Sequence, residues 1–510
     1  MKRNVKGIIA ALIAVFLILL APLEAFAAEG SMGYEGGIST VNTNAKDEYF
    51  YSEMCFLSGV PVLLTGSLTI KKSEKNNIVT STYTYKLSNT ESGASLTRVV
   101  LYETTKETKA NGQITESTKL SRLPTEVITI NGTTYTLTNY SFSRSLLSDP
   151  KPALNYNAGE FAGKKTYTIN GERTNTITVE MSGRIYSYDQ YWSSTQTQKI
   201  SYTLLADIKK ATKPYQWGGA AEVTVSQTTR QQIIYQPNEP YQISFDGGYV
   251  RSTWTESTMD YTALMPEFDK SKMPTSVLKS YSNRSIQETE PILERLMVPD
   301  IKQIKGHWAE EPVRILFGLG VIPGTGENYK LNKYLTRREF VAMLVEAVKD
   351  IPADPNLKKS SLTTVSRSSK KTVEQSPFLD VSVNDTCFAQ IKKAYEKGIT
   401  AGTGQSNFNP DSYITYAEAI KMIVASLGLE NLAPYPSAVT SYPDNDAIPA
   451  YARNAAQVAY SLGIYEGDDK GYFNPSGYIT NEKGAILFYN LINYMGDELV
   501  KDYYDRMLAY

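Results

Sequence analysis

From about residue 56 to 265, apolar and polar side chains alternate with a period of two. Thr82, Tyr83, Thr84, Tyr85, Lys86 and Leu87 show it, as do Thr133–Thr138, Thr166–Ile169 and Asn175–Glu180. Tyr and Thr suit a pleated, half-buried surface. Asn111-Gly112, Asn131-Gly132 and Asn170-Gly171 are dipeptides that favour tight hairpin turns, and Asp246-Gly247-Gly248 behaves alike. The pattern predicts an antiparallel β-rich, sandwich-like region or meander, long enough for two sheet units and without an internal repeat. Residues 28–55, with Gly30, Gly33, Gly36 and Gly37, read as an irregular opening segment that can contain an edge strand. Residues 266–297, punctuated by Pro266, Pro274 and Pro291, read as a connector, with Ile292–Met297 entering a short helix.

Beyond residue 298 the apolar period becomes helical and the sequence repeats. Asp300, Asp380 and Asp444 each close an apolar-x-Asp triplet and precede a helix-like run. Each run ends on a glycine followed by a second: Gly320 and Gly324, Gly398 and Gly402, Gly463 and Gly467. An aromatic follows (Tyr329, Phe408, Phe473), then Tyr-apolar-Thr ending at Thr336, Thr415 and Thr480, then a second apolar helix. The Asp-to-Thr spacing agrees to within one residue in all three copies, which marks a repeat architecture. The first glycine of each pair suits a helix C-cap, and each Thr suits an N-cap. Thr336 with Glu339, and Thr415 with Glu418, form capping boxes, whereas Lys483 breaks the third. One helix–loop–helix cannot bury its own apolar face, but three can share a core. The repeats are placed at 298–349, 376–430 and 442–495. A flexible, basic insertion is expected at 350–375, a linker at 431–441 and a C-terminal tail at 496–510.

The pattern Asp…His-Trp-Ala…Gly-Val-Ile-x-Gly…Leu-Thr-Arg-Arg-Glu-Phe of the first copy resembles the S-layer homology repeat of bacterial cell-surface proteins. The resemblance covers about 298–495. It implies a three-pronged α-helical module that binds secondary cell-wall polysaccharide on Gram-positive peptidoglycan, often through a pyruvylated terminal sugar. It also implies that glycan lies in grooves between repeats, contacted by the Arg of a Thr-Arg-Ala-Glu motif, which maps to Arg337. The second and third copies carry Tyr416 and Asn481 there. The implied binding residues are Arg337, Trp308, Asp300, Gly324, Thr336 and Glu339. Asp380, Gly402, Thr415, Asp444, Gly467 and Thr480 are the weaker candidates in the later copies.

The chemistry of these residues agrees. A pyruvyl ketal carries a carboxylate, which a guanidinium meets with two parallel hydrogen bonds, and a helix N-terminus adds positive potential beside it. Each residue also has a plainer reading. An Arg in a first helical turn is commonly a solvated charge, Trp308 reads as a buried helix anchor before a sugar platform, and the three Asp brace turns. The paired glycines serve backbone geometry first.

Composition narrows the setting. Lys2, Arg3 and Lys6 precede an apolar run from Ile8 to Ala21, and Ala25-Phe26-Ala27 offers small residues at a cleavage site. Residues 1–27 are expected to be a secretory signal peptide, with no membrane insertion of the mature chain. No Leu-Pro-x-Thr-Gly-like tail appears, so retention at the cell wall is expected to come from binding. With 52 basic and 53 acidic residues, nucleic acid is not an expected partner. Two cysteines, Cys55 and Cys387, exclude a disulfide framework, and Cys387 reads as a buried apolar position. The single histidine, His307, lies in the repeats, which removes His-dependent triads and His-based metal sites from the β region. No metal or cofactor is expected. Carboxylate-only hydrolysis stays open there. Asp189 among Tyr186, Tyr188, Tyr191 and Trp192 is a candidate sugar cleft, with sheet surface and core as the plainer reading. The first expectation is a non-enzymatic wall-bound protein displaying a structural or adhesive β domain. The alternative is a wall-anchored glycan hydrolase. Self-association in a surface layer stays open.

Overall fold

The computed structural model describes residues 32–41, 47–210, 213–238, 247–359, 374–434 and 439–507. The expected signal peptide lies outside the described residues. Among the described residues, sixteen strands form one sheet. They are β1 (Gly37–Val41), β2 (Glu48–Cys55), β3 (Val62–Lys75), β4 (Ile78–Asn89), β5 (Ala94–Thr108), β6 (Ile114–Leu120), β7 (Thr125–Ile130) and β8 (Thr133–Pro150). After these come β9 (Leu154–Ile169), β10 (Glu172–Gln190), β11 (Ser193–Ile208), β12 (Tyr215–Gln236), β13 (Gly248–Phe268), β14 (Pro274–Glu288), β15 (Ile292–Arg295) and β16 (Leu357–Lys359). Strands follow one another as antiparallel neighbours from β1 to β14, with β6 and β7 sharing the space between β5 and β8. Two expected Asn-Gly turns hold, with Asn131, Gly132, Asn170 and Gly171 at positive φ, whereas at Asn111-Gly112 only the glycine is so.

Two expectations change here. The β region is antiparallel and follows the expected meander, and among the described residues it forms one curled sheet instead of two sheet units. The alternation shows only that one face is buried. Twist accumulated over so many strands brings the first against the last, and the inner face buries itself. Phe56 after β2 meets Tyr202 of β11 and Tyr261 of β13 at 5.9 Å each. Curling demands close backbone approach at Gly66 and Gly159, where a Cβ would stand 2.1 Å from the Lys86 carbonyl oxygen and 2.3 Å from that of Ser145. The sheet also exceeds its expected 56–265 bounds at both ends. The opening segment is ordered: residues 32–40 are buried, Gly37–Val41 and Glu48–Cys55 are strands, and the Ser39 carbonyl accepts from Gln227 Nε2 and Ser257 Oγ. The connector carries β14 and β15, so Ile292–Arg295 is strand rather than helix. Pro274 opens β14, Pro291 precedes β15, and Pro266 sits at a register shift within β13, all places where proline's missing donor is tolerated.

The interior of the curled sheet is rich in tyrosine and holds an ion cluster. Arg98 donates to both oxygens of Glu53 (2.8 and 2.9 Å) and to Glu126 (2.9 Å), while Lys165 reaches Glu35 (2.7 Å) and Glu126 (2.9 Å). Burial pushes the Glu126 carboxyl up, but Arg98 and Lys165 together outweigh it and hold it at about 2. Glu35 belongs to the opening segment, so that segment is fixed by charge as well as by apolar contact.

The C-terminal part is helical: α1 (Glu310–Gly318), α2 (Arg337–Val348), α3 (Phe388–Glu396), α4 (Tyr416–Leu427), α5 (Ala450–Ser461), α6 (Asn481–Asn493) and α7 (Leu499–Met507). None is long and apolar enough to cross a membrane. The glycines Gly320, Gly398 and Gly463 take positive φ after the first helix of each repeat. The apolar residue of each Tyr-apolar-Thr closes a ring of backbone bonds: Leu335 N to Ile479 O, Ile479 N to Ile414 O, and Ile414 N to Leu335 O. That ring relates the three repeats by a pseudo-threefold axis, and their helices bury one shared core, as expected.

That core continues into the β region. Trp192, 1% exposed, donates from Nε1 to the Ala347 carbonyl at 2.7 Å, and Tyr156 and Tyr188 pack on Tyr503 of α7. Tyr188 and Trp192 therefore belong to a seam between sheet and repeats, Asp189 lines a cleft beside it, and residues 190 and 192–198 are largely covered on both faces of the sheet. The insertion is not flexible in its described part. Asn356 donates to Tyr49, Lys72 pairs with Asp354, and Leu357–Lys359 adds a parallel strand beside β3. Residues 360–373 lie outside the described residues. Within the expected linker, Glu430–Leu432 closes a short 3-10 turn. The expected tail is a helix whose Leu499, Val500 and Tyr503 are buried. A polar stretch can still be ordered when a neighbour supplies its partners, and local composition carries no record of neighbours.

Candidate functional site

Each repeat sends the first turn of its second helix into the space beside the next repeat. Thr336 caps α2: its Oγ1 accepts from Glu339 N, and Glu339 Oε2 accepts from Thr336 N at 2.9 Å, the predicted capping box. Thr415 and Glu418 repeat it on α4. Thr336 and Glu339 thus serve the helix end. Arg337, one residue past the cap, is only 3% exposed, yet it forms the wall of a groove of about 720 Å³. Three repeats build that groove: Arg337 from the first, Gly402, Glu418 and Lys421 from the second, and Tyr451 from the third.

Arg337 is fixed in place. Its Nε donates to the Phe408 carbonyl at 2.8 Å, and its guanidinium lies 5.1 Å from the centre of the Phe408 ring. Its Nη1 stands 3.0 Å from Glu418 Oε1 as an ion pair. Burial pushes the guanidinium below its ordinary value, opposed by the charge of Glu418. A guanidinium stays charged regardless, so the groove holds a poorly hydrated cation beside a helix N-terminus. That arrangement suits a carboxylate.

A second groove repeats the first with its residues exchanged. Tyr416 takes the place of Arg337, Lys483 that of Glu418, and Trp308 that of Tyr451, around Gly467 in a volume of about 330 Å³. The Lys483 ammonium lies 5.0 Å from the centre of the Trp308 ring, and Tyr416 stacks on Tyr465 at 5.0 Å. Cation and aromatic faces are both present, but the cation sits on a different position of the repeat. Lys483 was legible only as a broken capping box; its partner Trp308 comes from a repeat 175 positions earlier in the chain. The broken box is real: Thr480 Oγ1 is buried without a partner. Lys483→Glu is expected to restore it and stabilise the fold by about 0.5–1 kcal/mol, read as a higher unfolding midpoint. At the third equivalent position Asn481 is buried and its amide donates to the Lys330 carbonyl at 2.7 Å, closing the loop instead of opening a site.

Other candidates are placed differently. Trp308 is 55% exposed, so it is no buried anchor, and it faces Tyr416 and Lys483 rather than Arg337. Asp380 and Asp444 brace turns, accepting from Phe408 N and Asn409 N, and from Phe473 N and Asn474 N. Asp300 does neither and stays exposed, 3.9 Å from Lys302. Gly324, with φ +96°, has open space where a Cβ would be and stands apart from the Arg337 groove. Gly402 is the glycine beside Arg337, and a Cβ there would lie 2.4 Å from the Asn407 carbonyl oxygen. Cys387 is partly exposed at the start of α3, not buried. Glu418, Lys421, Tyr451 and Lys483 went unread in the sequence as groove residues, because each faces a groove completed by another repeat.

Comparisons with known proteins agree with this geometry. The S-layer homology domain model matches residues 299–341, 377–420 and 441–480. An amylopullulanase of Thermoanaerobacterium thermosulfurigenes is 29% identical over 38% of this chain and 10% of its own length. Exoglucanase XynX of Acetivibrio thermocellus is 28% identical over 37% of this chain and 16% of its own. The surface-layer 125 kDa protein of Lysinibacillus sphaericus is 24% identical over 39% and 15%. The chain thus spans under a fifth of these relatives, and the likeness falls on the repeats, not on the curled sheet. With the repeat period, the closed ring of backbone bonds and these matches in hand, the helical part of this chain is three S-layer homology domains in tandem.

Proposed function

We propose that the three-domain module anchors this chain non-covalently to secondary cell-wall polysaccharide, holding the carboxylate of a pyruvylated sugar in the groove of Arg337. The curled sheet is displayed as a structural or adhesive unit without a catalytic role. The observation that carries the reading is the buried guanidinium of Arg337, pinned by Phe408 and paired with Glu418 at the wall of a groove that three repeats build. A carboxylate arriving there would share with Glu418 a cation that has lost its water. The second groove, with Lys483, Trp308 and Tyr416, supports a second sugar contact of weaker charge selectivity. Tandem S-layer homology domains support a cell-surface location.

A hydrolase is the second reading, favoured by one feature: a cleft of about 200 Å³ in the curled sheet carries Glu116, Asp189 and Asp354. Their pairing argues against it. Glu116 is salt-bridged to Lys106 and Arg144, Asp354 to Lys72, and Asp189 accepts from Asn157. The full secreted chain is expected to pellet with purified sacculi and to release no soluble sugar from them. Chemical removal of the pyruvyl ketals should leave most of the chain in the supernatant. Undiminished sedimentation after that treatment refutes carboxylate recognition, and sugar release refutes the non-catalytic reading.

A further inference from the structure

The curled sheet covers its margins unevenly. On one side β1 lies buried beyond β2, and where β2 ends β16 continues along β3. On the other side β14 pairs with β13 alone, and among the described residues its outer edge is bare. It is fifteen residues long and exposed along almost its whole length. Val277, Leu278 and Ile286 are 54%, 58% and 55% exposed. The register sets Leu264 of β13 opposite Ser280, and the alternating Ala263 and Met265 point into the core. Leu264, Leu278 and Ile286 therefore share the outer face. A long edge with unpaired backbone groups and exposed apolar side chains is a template for another strand.

We propose that Pro274–Glu288 is the pairing edge for a second copy of this chain, joined antiparallel about a two-fold axis through Ser282. The sequence of the strand selects both the partner and the register. An antiparallel pair of identical strands in one sheet has its axis normal to the sheet, so a residue faces its own copy at the centre. Ser282 is the midpoint between Leu278 and Ile286. Centring there sets Leu278 opposite the second copy's Ile286 twice, on one face, and keeps Ser276 to Glu288 in register. Lys279 then stands opposite Ser285 and Arg284 opposite Ser280, so no charge meets its like. The strand thus meets its own copy with its apolar residues matched and no like charges opposed. The result is a continuous sheet across two chains, with both helical modules left free. The inference does not rest on the glycan reading, because the edge lies in the curled sheet.

The test uses the full secreted chain with Cys387→Ser, in analytical ultracentrifugation across a concentration series. A mass of two chains is expected at high concentration. Ser282→Cys should form a disulfide-linked dimer under mild oxidation, because the two cysteines face each other at strand spacing. Asn283→Cys, on the opposite face and beside Tyr281 in this register, should not. Leu278→Lys should weaken the dimer by about tenfold or more while the monomer keeps its fold. A single-chain mass at every concentration overturns the proposal. So does linkage at 283 equal to that at 282, or a dimer indifferent to Leu278→Lys.

Discussion

Arg337→Ala is expected to weaken binding of the chain to purified wall polymer by on the order of a hundredfold, the loss typical of one partner of a desolvated charge pair. Tyr416→Ala and Asn481→Ala should cost less, since neither offers a guanidinium. Arg337→Lys should fall between, because an ammonium keeps the charge but not the planar fork. Co-sedimentation isotherms with sacculi measure all four, and circular dichroism guards against misfolding, since Arg337 also tethers the Phe408 carbonyl. Equal losses at positions 337, 416 and 481 would show that the guanidinium has no special part. Salt separates two further ideas. A contact in the Arg337 groove is poorly screened, whereas a diffuse attraction of surface lysines fades as ionic strength rises.

The largest effect on stability is expected at the seam. Trp192→Ala removes a fully buried indole and strands the Ala347 carbonyl, and should cost about 4–5 kcal/mol. Trp192→Phe, which keeps most of the volume, should cost about 1–2 kcal/mol. The unfolding profile is as informative as the magnitude. Trp192 joins the core of the repeats to the curled sheet, alongside Gln190 and Ser193, which both donate to the Met495 carbonyl. With the seam loosened, the sheet and the helical module should unfold in separate transitions, seen by calorimetry as two peaks in place of one. One unsplit transition at an unchanged temperature would mean that the seam does not couple the two parts.

These two residues differ in how far the sequence revealed them. Arg337 was a candidate because it follows a capping threonine inside a motif that resembles the S-layer homology repeat, and capping is a local rule. Its neighbours were not. Glu418 read as the far member of a capping box, which it is, yet its other oxygen faces Arg337 from the next repeat. Lys483 read as a defect, although it brings a cation to Trp308. Trp192 read as one aromatic in a tyrosine-rich strand, since nothing near it in sequence marks an acceptor lying 155 positions later. The opening segment, read as irregular from its glycines, carries Glu35, whose partner Lys165 lies 130 positions away.

By itself the sequence determined the alternation that makes strands, the hairpin turns at Asn-Gly, the helical repeat with its capping residues and terminal glycines, and the family those repeats belong to. The family came from resemblance; the rest follow from hydrogen bonds and side-chain directions within a few residues along the chain. Only the tertiary structure decided that the sheet curls on itself and that the opening segment and the first part of the insertion complete it. The same holds for the packing of sheet and repeats around a continuous core, and for the mixed ancestry of each groove. These are outcomes of closure: a twisted sheet meeting its own beginning, and three Tyr-apolar-Thr segments completing a ring. Closure sets residues beside one another across hundreds of positions, where the periodicity of a single segment carries no information about its neighbour.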